Sequence, residues 1–185
     1  MGNEINPNTV MERVRSIKLV ISDVDGVLTD GGMYYTETGD EFKKFNVRDG
    51  VGVALLKAAG LKVGAISGER LSLIARRLDK MGMDFYYTGV KDKCGCVIDI
   101  CKRFNCNSAN IAYIGDEIND FALLGRVGLF IAPVDACADL RSLADHVLSS
   151  GGGKGVLREA AELILVEQRV YDYALEVYKK SLRVE

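Results

Sequence analysis

The stretch "KLVISDVDGVLTDGG", residues 18–32, decides the fold of this chain and raises a question of charge. Its apolar run is typical of a buried strand, yet the run ends on Asp23, and Asp25 follows two positions later. Two carboxylates this close repel each other unless a cation or hydrogen-bond donors lie beside them. The stretch therefore predicts a buried strand whose end forms a charged site.

Similar apolar runs alternate with helical patterns along the rest of the chain. Helical spacing covers 51–60, 69–82 and 91–104, and Gly60 and Gly82 stand where C-terminal helix caps are expected. Runs that are apolar on both faces suit parallel strands that helices cover on both sides. The alternation predicts an α/β fold with a three-layer, doubly wound, Rossmann-like parallel sheet. Its predicted strands are 17–22, 62–67, 84–88, 110–115, 127–132 and 146–149.

Two segments depart from this alternation. Residues 32–47 have two β-rich arms around "ETGDE", which predicts a β-hairpin inserted after the first strand. Its aromatic side chains either cover the domain's own core or meet a partner. The tail, about 155–180, has the apolar spacing of one long amphipathic helix. We expect residues 1–185 to form a single domain.

The composition narrows the class of protein. Of 185 residues, 48% are hydrophobic and 27% charged, with a net charge of −2, so we expect no nucleic-acid partner. The first 18 residues lack the apolar core of a signal peptide, and no apolar run is long enough to span a bilayer. The five cysteines are an odd number, which favours reduced thiols and a cytoplasmic location.

The predicted strands end on residues that carry chemistry. Ligands of open α/β sheets bind beyond the carboxyl ends of the strands. Carboxylates gathered there favour a hard cation such as Mg²⁺, and a hydroxyl, a glycine amide and a lysine suit a phosphate. The pattern predicts phosphoryl transfer through an aspartyl phosphate. The residues concerned are Asp23, Asp25, Ser67, Gly68, Lys91, Lys93, Asp116 and Asp120.

Four motifs now carry a resemblance to a known family. "DVDGVLTD", "SGE", the lysine of "VKDK" and "GDEIND" resemble the motifs of the haloacid dehalogenase-type phosphatases, in the same order and at the ends of the predicted strands. The resemblance covers residues 17–160. It implies a phosphatase that uses Mg²⁺ and a nucleophilic aspartate.

The resemblance also implies a role for each matching residue. Asp23 is the expected nucleophile, and Asp25 the expected acid for the leaving alcohol and base for water. Mg²⁺ is expected on Asp23, the backbone carbonyl of Asp25, and Asp116. Asp120, four residues after Asp116, is expected on the same helix face, where it braces the metal site or the lysine.

The phosphoryl oxygens are expected on Ser67, the Gly68 amide and Lys93. Taken alone, Ser67 also suits the N-cap of the helix that follows it. Many relatives carry a second aspartate directly after the position of Asp116, where this chain has Glu117, so we leave Glu117 out of the metal ligands.

A narrower resemblance concerns the substrate. The segments between the motifs leave no room for a cap domain, and "NVRDGVGVALLK" and "GGGKGVLREAAELIL" resemble the capless phosphatases of 3-deoxy-2-ulosonic acid phosphates. In that family the hairpins join four subunits, and a neighbour's C-terminal region helps to cover the site. We therefore expect a homotetramer in which the glycine-rich segment closes flexibly. Arg48, Lys154 and Arg158 are candidates for binding a sugar carboxylate.

Two substrates stay open. "NVRDG" resembles the enzymes that act on octulosonate 8-phosphate, in lipopolysaccharide biosynthesis. Those enzymes usually have arginine at the position of Glu69. Glutamate there, with lysine at position 80, resembles the branch that acts on keto-deoxynononate or sialic acid 9-phosphates. We expect the octulosonate activity, with Arg48, Glu69 and Lys80 at the substrate. A third hypothesis is a non-catalytic oligomerisation module of the same fold. Such modules can lose the nucleophile, whereas this chain has Asp23 at that position.

Overall fold

A six-stranded parallel sheet forms the centre of the computed structural model, which describes residues 10–182. Residues 1–9, where we expect no signal peptide, and residues 183–185 lie outside the described part. The strand order is β5-β4-β1-β6-β7-β8, and every neighbouring pair is parallel, so their carboxyl ends share one edge. In chain order the strands are β1 (Leu19–Ser22), β2 (Tyr34–Tyr35), β3 (Glu41–Phe42), β4 (Lys62–Ser67), β5 (Phe85–Thr88), β6 (Ile111–Ile114), β7 (Leu129–Ala132) and β8 (His146–Val147).

Helices cover both faces of the sheet. Successive residues of β1 face opposite layers, so Val20 packs in one apolar cluster and Ile21 in the other. The predicted three-layer α/β fold is confirmed, and residues 10–182 include no cap domain. Within the same residues, no helix is long and apolar enough to cross a bilayer. The helices are α1 (Val10–Arg15), α2 (Val47–Ala58), α3 (Ser72–Met81), α4 (Lys93–Phe104), α5 (Ala138–Leu143), α6 (Val156–Glu167) and α7 (Tyr171–Ser181).

Helices α2 and α6 cross at a point that a glycine keeps open. A Cβ built on Gly52 of α2 would lie 2.9 Å from the Cα of Arg158 in α6. One turn earlier, the buried Asp49 accepts a hydrogen bond of 3.1 Å from the Arg158 amide, at the start of α6. Burial raises the pKa of Asp49 to about 6, although hydrogen bonds from the amides of Arg158 and Leu157 oppose the shift. This crossing fixes where the glycine-rich segment before α6 meets the sheet.

The C-terminal tail forms two helices, so the prediction of one continuous helix over 155–180 was wrong. Arg169 adopts the left-handed backbone conformation, with φ of 59°, and an α-helix cannot continue through it. The Gln168 side-chain amide donates to the carbonyls of Val14 and Ile17, at 3.1 and 2.8 Å, and so ties the break to the segment before β1. Neither glycine nor proline marks the break, and the apolar spacing continues on both sides of it.

The inserted hairpin is present but short. Strands β2 and β3 pair antiparallel over two residues each, and Thr29 and Phe45 form a bridge at the hairpin's base. Tyr34, Tyr35 and Phe42 are at least half exposed, whereas Phe45 packs against the core. The aromatic residues of the arms therefore do not cover the core of their own chain, and only Phe45 at the base does.

We expect Gly52→Ala to destabilise the protein by about 1–3 kcal/mol, because its methyl group meets the backbone of α6. Gly50→Ala, in the same helix, is the matched control, since the nearest atom would lie 3.9 Å from a Cβ built there. At Gly50 we expect a gain of up to about 1 kcal/mol from helix propensity. Urea denaturation measures both, and equal changes at the two positions would contradict the close crossing.

Candidate active site

The carboxyl edge of the sheet gathers the predicted catalytic residues. Asp23 follows β1 directly, and its amide donates to the Ile114 carbonyl of β6 at 2.8 Å, which holds it at the strand end. Asp23, Asp25, Gly68 and Asp116 line one cavity of about 280 Å³. Ser67 ends β4 beside this cavity, and its side chain is buried. The structure thus brings together the ends of β1, β4 and β6, as parallel strands require.

Lys93 joins two carboxylates at the floor of the site. Its Nζ lies 2.8 Å from Oδ2 of Asp23 and 2.6 Å from Oδ1 of Asp120, and its side chain is buried. Burial alone would lower the pKa of Lys93, but the charges of Asp23 and Asp120 outweigh it and raise the pKa above its ordinary value. Lys93 is therefore a protonated cation, while the neighbouring Lys91 is exposed.

Asp120 accepts hydrogen bonds at both carboxylate oxygens. Oδ1 takes 2.6 Å bonds from Lys93 and from the hydroxyl of Tyr113, and Oδ2 takes bonds from the amides of Asp116 and Glu117, at 3.1 and 3.4 Å. Asp120 is fully buried. Its oxygens are thus committed to positioning Lys93 and the backbone of Asp116.

The local backbone at Asp116 differs from the prediction of a shared helix face. A 3₁₀ helix runs over Ile118–Leu123, after the N-cap Glu117, so Asp116 lies outside it. The turn instead folds Asp120 back onto the Asp116 amide, at 3.1 Å. Tyr113 of β6 was not predicted as a site residue, because its apolar neighbours are typical of core.

Asp23 and Asp116, together with the neighbouring Asp120, form an acidic cluster in which the first two can hold a divalent cation. One carboxylate oxygen from each lies within 4.8 Å of the others, and Oδ1 of Asp116 is buried without a hydrogen-bond partner. Burial, and then the charge of Asp120, raises the pKa of Asp23 from 3.8 to about 7, against the effect of Lys93. Burial, and then the charge of Asp23, raises the pKa of Asp116 to about 8. Hard oxygen donors held this close fit Mg²⁺.

Asp25 lies at the open side of the site and pairs with a lysine that we did not predict. Lys43, from the second arm of the hairpin, is hydrogen-bonded to Oδ1 of Asp25 and lies 2.9 Å from Oε2 of Glu69. Burial opposes protonation, but the bonds to Asp25 and Glu69 outweigh it, so the pKa of Lys43 is raised. Side chains alternate along an extended arm, so Lys43 lies on the same face of the hairpin as Phe45. This alternation was the feature of the sequence that could have predicted an inward-facing Lys43.

The predicted substrate residues are divided among three cavities. Glu69 lines the catalytic cavity, and its backbone amide donates a 3.1 Å hydrogen bond to Ser67 Oγ. Ser67 does not cap α3, because that helix begins at Ser72. Within one chain, therefore, Glu69 reaches the catalytic cavity, whereas two other predicted residues line clefts of their own. Arg48 lines a cleft of about 350 Å³ together with Lys154 and Arg158. Lys80 lines another, of about 450 Å³, together with Arg76 and Arg77.

Glycines allow the wall of the site to pack closely. Gly26 has a φ of +84°, and a Cβ there would overlap the carboxylate of Asp116. Beneath this loop Gly152 and Gly153 are buried, and the Gly153 amide donates to the Val27 carbonyl at 3.0 Å. The glycine-rich segment is thus packed against the site's loop in this structure, where we expected a flexible closure.

The fold and the site together define an enzyme of the phosphoryl-transfer class. The profile of the haloacid dehalogenase-like hydrolases matches residues 56–159. The 3-deoxy-D-manno-octulosonate 8-phosphate phosphatase of Haemophilus influenzae is 36% identical over 177 residues, which are 94% of this chain and 98% of that protein. This chain belongs to the haloacid dehalogenase-like hydrolases, and it is a phosphatase.

Solved structures agree with this assignment. The crystal structure of the 3-deoxy-D-manno-octulosonate 8-phosphate phosphatase of Yersinia pestis has a TM-score of 0.86 and 36% identity, over 89% of each chain. The corresponding enzyme of Moraxella catarrhalis, solved with magnesium, phosphate and KDO, has a TM-score of 0.87 and 31% identity, over 91% of this chain and 97% of that one. The Moraxella enzyme thus binds magnesium, and the carboxylate cluster of this chain is of a kind that fits the same cation.

In metal-free protein we expect stability to fall as the pH rises from about 4 to about 8. The folded state keeps protons on Asp23 and Asp116 up to pKa values of about 7 and about 8, while the unfolded state loses them near 3.8. Mg²⁺ should flatten this slope, because the cation replaces the protons.

Denaturation at several pH values, in chelator and in Mg²⁺, measures the two slopes. Asp49 adds a slope of the same sign, which Mg²⁺ does not remove. Asp116→Asn should reduce the slope in chelator, because it removes one of the titrating groups. Equal slopes with and without Mg²⁺ would contradict the assignment of these carboxylates to the cation.

Proposed function

We propose that this phosphatase hydrolyses 3-deoxy-D-manno-octulosonate 8-phosphate to the free sugar acid and inorganic phosphate. The observation that carries the chemistry is Lys93, which bridges Asp23 and Asp120 beside the unpartnered oxygen of Asp116. The substrate is supported by relatives of that name, at 36–38% identity over 86–94% of this chain. We further propose that the chain works as one domain.

Two aspartates, Asp23 and Asp25, carry out the first half of the proposed reaction. Asp23 attacks phosphorus, so that a bond forms from its carboxylate oxygen while the bond from phosphorus to the sugar oxygen breaks. The leaving oxygen takes the proton of the Asp25 carboxyl group and departs as the alcohol. Asp25 suits this role because it lies at the open side of the cavity, whereas Asp23 is buried.

The second half returns the enzyme to its starting state. The Asp25 carboxylate takes a proton from water, whose oxygen attacks the phosphorus of the aspartyl phosphate. The bond to Asp23 breaks, inorganic phosphate leaves, and Asp25 is again protonated. No co-reactant other than water is needed.

The phosphoryl group needs positive charge and donors around it. Lys93, the Gly68 amide and the Ser67 hydroxyl are the proposed donors to its oxygens. When bound by Asp23, the Asp25 carbonyl and Asp116, Mg²⁺ supplies charge for the phosphoryl oxygens. The raised pKa of Asp23, about 7, implies that cations must offset its burial if it is to attack as a carboxylate.

A second candidate substrate is a keto-deoxynononate or sialic acid 9-phosphate. The observation that favours it is Glu69, which lines the catalytic cavity at the position where the octulosonate enzymes usually have arginine. Lys80, the other residue that resembles this branch, lines a different cleft of the same chain. Octulosonate stays the first choice because of the named relatives.

We propose that the working form is a homotetramer. Tyr34, Tyr35 and Phe42 of the hairpin are 50%, 61% and 58% exposed, and aromatic side chains of this kind favour an interface. In such an assembly a neighbour's surface would lie near the hairpin. Arg48 or Lys80 of one subunit would then be able to reach the substrate carboxylate in the catalytic cavity of a neighbouring subunit. Within one chain, both residues line other clefts.

The wild-type enzyme should release phosphate from 3-deoxy-D-manno-octulosonate 8-phosphate when Mg²⁺ is present and lose this activity in chelator. Asp23→Asn should lower kcat by at least about 10³-fold, because the nucleophile is lost. Phosphate release measures both. Asp99→Asn, at an exposed aspartate of α4, is the control and should leave kcat unchanged. No turnover of any phosphorylated ulosonic acid would overturn the proposed substrate class.

The two substrates are separated by kcat/KM for the 8-phosphate and the 9-phosphates. We expect Glu69→Arg to shift this ratio roughly tenfold towards the 8-phosphate, since one changed pocket contact is worth about that much. Glu69→Gln, at the same position, is the control that removes the negative charge without adding a guanidinium. An unchanged ratio in Glu69→Arg would mean that Glu69 does not contact the sugar.

A further inference from the structure

Lys43 connects the hairpin to the catalytic cavity, and no step of the proposed hydrolysis gives it a role. Its Nζ lies between the carboxylates of Asp25 and Glu69. We propose that Lys43 is a positioning residue, which holds the proton donor Asp25 against the leaving group and keeps Glu69 neutralised. This inference rests on the proposed hydrolysis and adds a residue to it.

The burial of Lys43 argues that this contact is built in. Its side chain is 2% exposed, whereas that of the next residue, Lys44, is 67% exposed and 3.5 Å from Asp30. Lysine rarely becomes this buried unless its charge is paired. The Nζ also approaches the sulfur of Met33 on the other arm, at 3.7 Å. Both arms of the hairpin therefore contribute to the position of this cation.

The hairpin's base limits how far Lys43 can move. Phe45, two residues on, forms the bridge to Thr29 and packs against the core. Thr29 in turn lies 3.4 Å from Oδ1 of Asp25 through its hydroxyl. Lys43 and Thr29 thus both contact Oδ1 of Asp25, and the hairpin fixes the position of each.

The charge around the cavity gives Lys43 a second effect. Five acidic residues line the cavity, and the proposed substrate brings further negative charge in its phosphate and carboxylate. Lys93 is paired with Asp23 and Asp120 at the floor, so it does not neutralise the open side. Lys43 does so, through its ion pair with Glu69. The five acids are Asp23, Asp25, Glu69, Asp116 and Glu117.

In the first half of the reaction, holding Asp25 matters only when the leaving oxygen needs a proton. Its role as base for water in the second half is common to all substrates. A sugar alkoxide is a poor leaving group and requires the proton of Asp25, whereas p-nitrophenolate is a stable anion and leaves without one. A residue that positions Asp25 should therefore slow the release of the leaving group from alkyl phosphates much more than from p-nitrophenyl phosphate. A residue that merely stabilises the fold should affect both substrates alike.

The test compares Lys43→Met with Lys44→Met on two substrates, 3-deoxy-D-manno-octulosonate 8-phosphate and p-nitrophenyl phosphate. For Lys43→Met we expect the single-turnover rate of leaving-group release to fall about 10- to 100-fold on the sugar phosphate, and by less than about threefold on the aryl phosphate. Lys44→Met should match the wild type on both. Lys43→Arg, which keeps the charge, should restore much of the lost activity.

The neutralisation of Glu69 by Lys43 is tested with a double variant. In Lys43→Met the unpaired Glu69 should raise KM for the sugar phosphate, because like charges then face each other. Adding Glu69→Gln should bring KM back towards the wild-type value while kcat stays low, since Asp25 is still unsupported. A double variant whose KM stays as high as that of Lys43→Met would overturn this part.

The remaining outcomes separate the inference from the proposed function. If a folded Lys43→Met, checked by circular dichroism, loses the same factor in the rate of leaving-group release on both substrates, the positioning role is overturned. Equal effects of Lys43→Met and Lys44→Met would overturn it as well. A wild type active on p-nitrophenyl phosphate but not on any ulosonic acid phosphate would overturn the substrate alone. The leaving-group comparison would then use glucose 6-phosphate as the alkyl phosphate.

Discussion

The buried ion-pair network of Lys93 with Asp23 and Asp120 is the constraint on which the site depends. A buried charge is costly unless it is paired and hydrogen-bonded, so each of these groups requires the others. They follow β1, β5 and β6, and they meet because these parallel strands end at one edge of the sheet. Asp120 then sets the backbone of Asp116 by accepting from its amide.

Close backbone packing is the second condition. Gly26 allows the Asp116 carboxylate to lie against the loop after β1, and Gly152 and Gly153 fill the space beneath that loop. The position of this glycine-rich segment depends in turn on α6, which meets α2 at Gly52. Side chains at these points would separate the layers. The wall of the cavity is therefore set by helix packing well behind it, and not by the catalytic residues alone.

The floor and the rim of the cavity have different origins, and this division matches the chemistry. The floor, at the ends of β1, β4 and β6, gathers the groups suited to the phosphoryl group and the cation. The rim is formed by the hairpin and the loop after β4, where Lys43 meets Asp25 and Glu69. The inserted hairpin thus supplies a cation to the open side of the site, where Asp25 and Glu69 lie.

Local sequence determined most of the fold and the floor of the site. Apolar runs and the residues that end them depend on short-range pattern, so β1 and Asp23, β4 and Ser67, and the sheet as a whole were predictable. Only the tertiary structure decided the contacts of Lys43, the role of Tyr113 and the break at Arg169. Each of these depends on which distant residues lie nearby in space, and spacing along the chain carries little information about that.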